Sequence, residues 1–248
     1  MTITRRTAFV TVAGAGALLA ACRRDEKGQA EPMKPAPSGG APPKEVQVEE
    51  VGAVEDLMRE HGVIRRVLVV YREAAARLRA KTGTPVPADA LQSAAKLMRS
   101  FGEDYHEKQL EEAHIFPSLL VAAGPLAAEV NTLIAQHERG REITDYVLAV
   151  TARPIDAAVA GPLARMLDAF ARMYEEHAAR EDTLIFPAWK ATLSAKQLDE
   201  MGDLFEDIEK KTFGKDGFED ALRQVTAIEK GIALDPVELT APAPPKTT

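Results

Sequence analysis

The chain has a single cysteine, Cys22, in 248 residues. That excludes an intrachain disulfide framework and any thiolate-built metal cluster. Aromatic residues make up only 5% and β-branched runs are scarce, which argues against an all-β fold. A basic stripe is missing too: 31 Lys and Arg face 38 Asp and Glu, for a net charge of -7. Nucleic acid is therefore not an expected partner. No apolar run reaches the roughly 20 residues of a membrane span. Histidine is sparse, with five in all, and every one lies between positions 61 and 177. That restriction to the interior of the chain is the first pointer to function.

The beginning of the chain reads as an address. Arg5-Arg6 precede an uncharged run from Ala8 to Ala21, the layout of a signal peptide over residues 1–21. The run ends Leu19-Ala20-Ala21-Cys22, which resembles the lipobox of bacterial lipoproteins. The resemblance implies cleavage before Cys22 and lipidation of its thiol. Thr4-Arg5-Arg6-Thr7-Ala8-Phe9 resembles a twin-arginine export signal. The expected location is the cell envelope, with a membrane-anchored protein on the periplasmic side. Residues 22–46 are rich in Pro, Gly, Ala and Lys and read as a flexible tether. Residues 233–248 read as a Pro-rich tail.

Between tether and tail the periodicity is helical. Val54, Leu57, Met58, His61, Ile64, Leu68, Tyr71, Ala75 and Leu78 recur at three- and four-residue steps, one face of an amphipathic helix over about 47–81. A second helix starts near Pro87 and stops at Gly124. A third begins at Pro125, striped by Leu126, Val130, Leu133, His137, Gly140, Thr144 and Val147. Pro162 opens or sits early in a fourth, striped by Leu163, Met166, Leu167, Phe170, Met173, Tyr174, His177, Glu181, Leu184 and Ile185. Ser194-Ala195-Lys196-Gln197 has the form of a capping box. Gly214 and Gly217 separate the helix it opens from a last one near 218–231. The expectation is an all-α, up-and-down four-helix bundle over 47–193, followed by a helical pair over 194–232.

The apolar stripes carry polar intruders. His61, His137, His177 and Glu181 occupy positions that should face the core. A carboxylate there is costly unless a cation or several donors meet it. His177 and Glu181, four apart, lie about 40° apart around a helix and reach the same place. Residues 105–117 and 174–187 both end in Ile-Phe-Pro, and aligning the triplets sets Glu111 opposite Glu181. Helices one and three add one stripe histidine each. Two such hairpins related by a two-fold would enclose a symmetric binuclear site.

These residues resemble the hemerythrin-like (HHE cation-binding) family over roughly 50–190. The motif that carries the resemblance is His177-x-x-x-Glu181-x-x-x-Ile185-Phe186-Pro187, with its counterpart in helix two and isolated histidines in helices one and three. The resemblance implies a non-haem di-iron centre with His61, His106, His137 and His177 as ligands, bridged by Glu111 and Glu181. Sulfur-free donors also suit manganese or zinc; the family points to iron.

The chain departs from the family pattern in two places. His106 and Glu111 are five apart, about 140° on a regular helix, unless a π-bulge near Gln109 brings them together. Glu107 and Glu112 therefore remain alternative ligands. The family's oxygen carriers also have two histidines four apart on one helix, whereas His137 has Leu133 and Arg141 at that spacing. Counting about twelve positions on two irons, the residues and an oxygen bridge fill about ten. His114, aligned with Leu184, reads as a packing or surface residue, and Tyr105 and Tyr174 as core aromatics. The expected partners are O2 or another small oxidant or diatomic, such as peroxide or nitric oxide. The function is then binding for sensing, storage or delivery, or alternatively a di-iron oxidase or peroxidase, or an iron-storage or structural bundle.

Overall fold

The computed structural model describes residues 51–80, 85–121, 124–235 and 239–245. The expected signal peptide, Cys22 and the tether lie outside the described residues. Among the described residues there are six helical rods and no strand. Helix α1 is Ala53–Ala80. Helix α2 is continuous through Ala88–Leu97, a wide π-wound stretch Met98–Ile115, and Phe116–Val121. Helix α3 is Pro125–Thr151. Helix α4 runs through Ala157–Arg180, a π-turn Glu181–Ile185, and Phe186–Ala191. Helices α5 (Ala195–Phe213) and α6 (Gly217–Gly231) follow. No described helix is long and apolar enough to cross a membrane.

Several boundaries have a local cause. Gly124 has φ 98°, a backbone conformation that glycine adopts without penalty, and it sets Pro125 at the first position of α3. Asp156 caps α4, its carboxylate accepting from the N–H groups of Ala158 and Val159. Pro162 therefore lies inside α4, not at its start. Ser194 and Gln197 form the reciprocal capping box of α5, and Gly214 ends that helix at φ 67°.

The four long rods pack in a ring. Helix α1 lies most extensively against α4, α2 lies against α3, and the α3–α4 and α1–α2 contacts close the bundle. Helices α5 and α6 cover the α1–α2 side. Arg66 holds α6 through Glu229 at 2.8 Å and Thr226 at 2.9 Å, while Phe218, Ala221, Val225 and Ile228 bury its apolar stripe. The α1 and α4 stripes overran the core at two positions: Met58 and Leu184 are 37% and 43% exposed, because no neighbouring rod covers those edges.

The π-turn next to each Ile-Phe-Pro triplet has a local cause in its proline. Pro117 and Pro187 cannot donate a backbone hydrogen bond, and in an α-helix their rings would strike the carbonyl four residues back. Widening the turn relieves that contact. The Phe116 N–H then bonds the Glu111 carbonyl, and the Phe186 N–H bonds the Glu181 carbonyl, each five residues back. The widened turn next to each proline thus starts at one of the two carboxylates singled out by the sequence repeat, and in α2 the π-winding extends back to Met98.

Candidate metal centre

Four imidazoles meet at the middle of the ring in two pairs. His61 of α1 and His106 of α2 place their Nε2 atoms 3.0 Å apart. His137 of α3 and His177 of α4 do the same, also at 3.0 Å. Glu111 lies between the pairs: Oε1 is 3.3 Å from Nε2 of His106, and Oε2 is 3.4 Å from Nε2 of His137. Glu181 Oε2 is 3.0 Å from Nε2 of His177 and 3.4 Å from Nε2 of His61. The π-winding brings His106 and Glu111 onto one face despite their five-residue spacing. All six side chains are buried.

The outer edge of each ring is held as well. Nδ1 of His61 meets Asp182 Oδ1 at 2.7 Å, and Nδ1 of His106 meets Glu60 Oε2 at 2.7 Å. Nδ1 of His137 meets Glu112 Oε1 at 2.8 Å, and Nδ1 of His177 meets Gln136 Oε1 at 2.9 Å. An acceptor at every Nδ1 assigns the ring proton there and leaves Nε2 with a lone pair directed inward. Arg65 pairs with Asp182, and Arg141 pairs with Glu112. The Glu60 carboxylate also accepts from the Tyr105 hydroxyl at 2.9 Å.

This outer shell repeats the two-fold of the sequence. Glu60-His61 with Arg65 in α1 corresponds to Gln136-His137 with Arg141 in α3. Glu181-Asp182 in α4 corresponds to Glu111-Glu112 in α2. Phe186 stacks on His61 at 5.4 Å and Phe116 on His137 at 5.6 Å, which gives the Phe of each Ile-Phe-Pro triplet its role.

The cluster has an electrostatic deficit that a cation corrects. All four oxygens of Glu111 and Glu181 are buried without a hydrogen-bond partner, an arrangement that is costly for a carboxylate. Each Nε2 pair, at 3.0 Å, can share only one proton between its two nitrogens. Burial works against charge at His106 and His137, yet the carboxylates around each ring hold both imidazoles well above their usual range. Burial likewise opposes ionisation of Glu181, yet His177 and His61 hold it well below the carboxylate range. The groups fit a metal: a cation would take the place of the protons that the carboxylates otherwise hold on the inward ring nitrogens, beside anionic oxygens. Glu111, His137, His177 and Glu181 form one compact donor group, and His61, His106 and Glu111 form another.

Glu107 and Glu112, the alternative ligands of the sequence analysis, lie at the Nδ1 edge of His137, across the ring from its Nε2. Glu107 is 3.9 Å from that Nδ1 and accepts from the Tyr174 hydroxyl at 2.7 Å and from Arg141 at 3.2 Å. Burial, with Glu107 and Glu103 nearby, pushes the Tyr174 phenol well above its usual range, so it stays a donor. His114 is outside the cluster, half-buried against Phe205 with ring centroids 5.9 Å apart.

The hemerythrin HHE cation-binding domain profile matches residues 52–189. The chain belongs to the hemerythrin family. It is also 44% identical over 203 residues to uncharacterised proteins of Mycobacterium bovis and of two strains of Mycobacterium tuberculosis, covering 81% of this chain and 78% of each relative. No solved structure matches. This hemerythrin-family chain is a metal-binding protein, and the buried His/Glu cluster is the candidate site.

Sequence reasoning missed Glu60, Gln136, Asp182 and the two arginines. Each lies beside or one turn from a stripe residue, where a polar side chain looks like ordinary solvated surface. The readable signal was the repeated Glu/Gln-His-x-x-x-Arg string of α1 and α3, set against the acidic pairs of α2 and α4.

One close approach near the site has a direct test. A Cβ on Gly140 would fall 2.0 Å from the Tyr174 hydroxyl oxygen. Gly140→Ala should displace Tyr174 from Glu107 and cost about 1–3 kcal/mol, measured as a lowered thermal unfolding midpoint. An unchanged midpoint would show that α3 and α4 yield at this crossing.

Proposed function

We propose that the protein is a non-haem di-iron protein that binds O2 or another small oxidant or diatomic, such as peroxide or nitric oxide, for sensing, storage or delivery. The observation that carries this reading is the division of Glu111, one oxygen toward each histidine pair, with Glu181 reaching across the opposite side. That division supports a reading with two metal positions. His61 and His106 would hold one, His137 and His177 would hold the other, and Glu111 and Glu181 would be shared between them. The iron supplies reversible redox and small-ligand affinity. The chain supplies a buried pocket, four oriented imidazoles and two fixed carboxylates. Iron rests on the family and on a sulfur-free donor set.

An oxidase or peroxidase reading draws on a different observation. The Tyr174 hydroxyl, donating to Glu107, stands next to His177 with ring centroids 5.3 Å apart, so a proton donor lies close to the site.

Metal analysis together with an absorption spectrum tests both readings. Two irons per chain, a new absorption band on adding azide to the oxidised protein, and a spectral change reversed by cycling O2 and argon support binding. Sustained consumption of peroxide favours the enzyme. One metal per chain, or zinc alone, sinks the di-iron reading. We further propose that the chain is exported and anchored at the cell envelope through lipid on Cys22. Stable anchoring then comes from more than one acyl chain. Intact mass and detergent partitioning after bacterial expression test this. A soluble product retaining residues 1–21 rules it out.

A further inference from the structure

We infer that Gln136 makes the two metal positions electronically unequal, so that the His137/His177 position is reduced first and the His61/His106 position last. The inference rests on the two-metal reading above. A metal-bound imidazole that donates its Nδ1 proton to a carboxylate gains electron density and becomes a stronger donor. His61, His106 and His137 each donate to a carboxylate, from Asp182, Glu60 and Glu112. His177 donates to an amide oxygen.

The comparison is well controlled because the two halves repeat each other. Asp182 and Glu60 stand against Arg65 around one pair; Glu112 and Glu107 stand against Arg141 around the other. The formal charges match. Glu107 is 3.9 Å from Nδ1 of His137, beyond hydrogen-bond reach, and is taken up by Tyr174 and Arg141. What remains is the acceptor one residue before each stripe histidine: glutamate in α1, glutamine in α3. Both oxygens of Glu60 accept, one from Tyr105 and one from His106, which leaves His106 facing a full carboxylate. His177 faces a neutral dipole, so the metal it serves is the poorer in electrons and is favoured in the lower oxidation state.

The test uses the full chain loaded with iron, with Gln136→Glu, Glu60→Gln and the double variant beside the parent. Gln136 is half-buried, so a carboxylate there keeps access to water. Redox titration and Mössbauer spectra at half reduction are the readouts. The parent should take up two electrons in separate steps, with distinct ferric and ferrous signals at the midpoint. Gln136→Glu should move the first step to more negative potential and narrow the gap. Glu60→Gln should narrow it by moving the second step to more positive potential. The double variant should reopen the gap. Shifts of one sign in both single variants, or unmoved steps with two irons retained, overturn the inference. Iron content other than two in the parent overturns the di-iron reading instead, and with it the basis of the inference. A general packing disturbance cannot produce opposite shifts and their recovery in the double variant.

Discussion

Replacing Glu181 with alanine should remove most of the bound metal, while His114→Ala should retain it. Glu181 reaches both histidine pairs through one buried oxygen, and neither of its oxygens has a hydrogen-bond donor. On the two-metal reading, its removal would take a ligand from two positions at once and leave four imidazoles with Glu111 between them. The outer partners set the scale for comparison. Losing a carboxylate that orients a ligand histidine costs about 10–100-fold in metal affinity, so Asp182→Ala should fall between the two variants. Glu181→Gln keeps the shape and removes the anionic bridge, which separates loss of a ligand from loss of packing. Metal per chain, measured after dialysis against a weak chelator, should run His114→Ala, then Asp182→Ala, then Glu181→Gln. Equal losses in Glu181→Gln and His114→Ala would mean that the aligned Ile-Phe-Pro segments do not mark the ligands.

The contrast between ligands and outer partners also explains what could be read from the sequence. A histidine or glutamate in a stripe of Leu, Val and Phe stands out because the period predicts an apolar residue there. His61, His137, His177 and Glu181 were visible for that reason. His106 and Glu111 break the α-helical period, and only the widened turn ahead of Pro117 brings them to the same face. The helix ends were legible where the chemistry is local, as at Gly124, Ser194 with Gln197, and Gly214. The start of α4 was less so, because the Asp156 cap precedes Pro162 by a turn and a half of helix that looks like loop sequence. Met58 and Leu184 satisfied the period but stay exposed, since whether a neighbouring rod covers an edge is a tertiary fact. Glu60, Gln136 and Asp182 were hidden by their position beside stripe residues, although they fix the orientation of three of the four imidazoles.

Glu103 should make the stability of the fold fall as pH rises, and Glu103→Gln should remove that fall. The carboxyl is buried near the centre and its pKa is pushed up to about 7, chiefly by burial. The Thr144 hydroxyl donates to one oxygen and Arg99 stands 3.0 Å from the other, both favouring the charge. Arg141 acts with them, Glu107 opposes, and burial outweighs the sum. A folded-state pKa above the unfolded one favours the protonated form. The contribution of Glu103 to stability is therefore complete below about pH 4.5 and is lost as pH rises through about 7. The shift from 4.5 to about 7 corresponds to at most about 3–4 kcal/mol. Glutamine carries no charge at any pH and keeps an oxygen for Thr144, though it gives up the attraction of Arg99. The difference in unfolding free energy between Glu103→Gln and the parent should accordingly turn in favour of the variant from pH 5.5 to 8.5, by about 1–3 kcal/mol. Denaturant melts of metal-loaded protein at several pH values measure it, and taking the difference at each pH cancels the titration common to both chains. A difference that stays flat across this range would show that Arg99 and Arg141 keep Glu103 ionised throughout, and that burial at this position is offset by the two guanidinium groups.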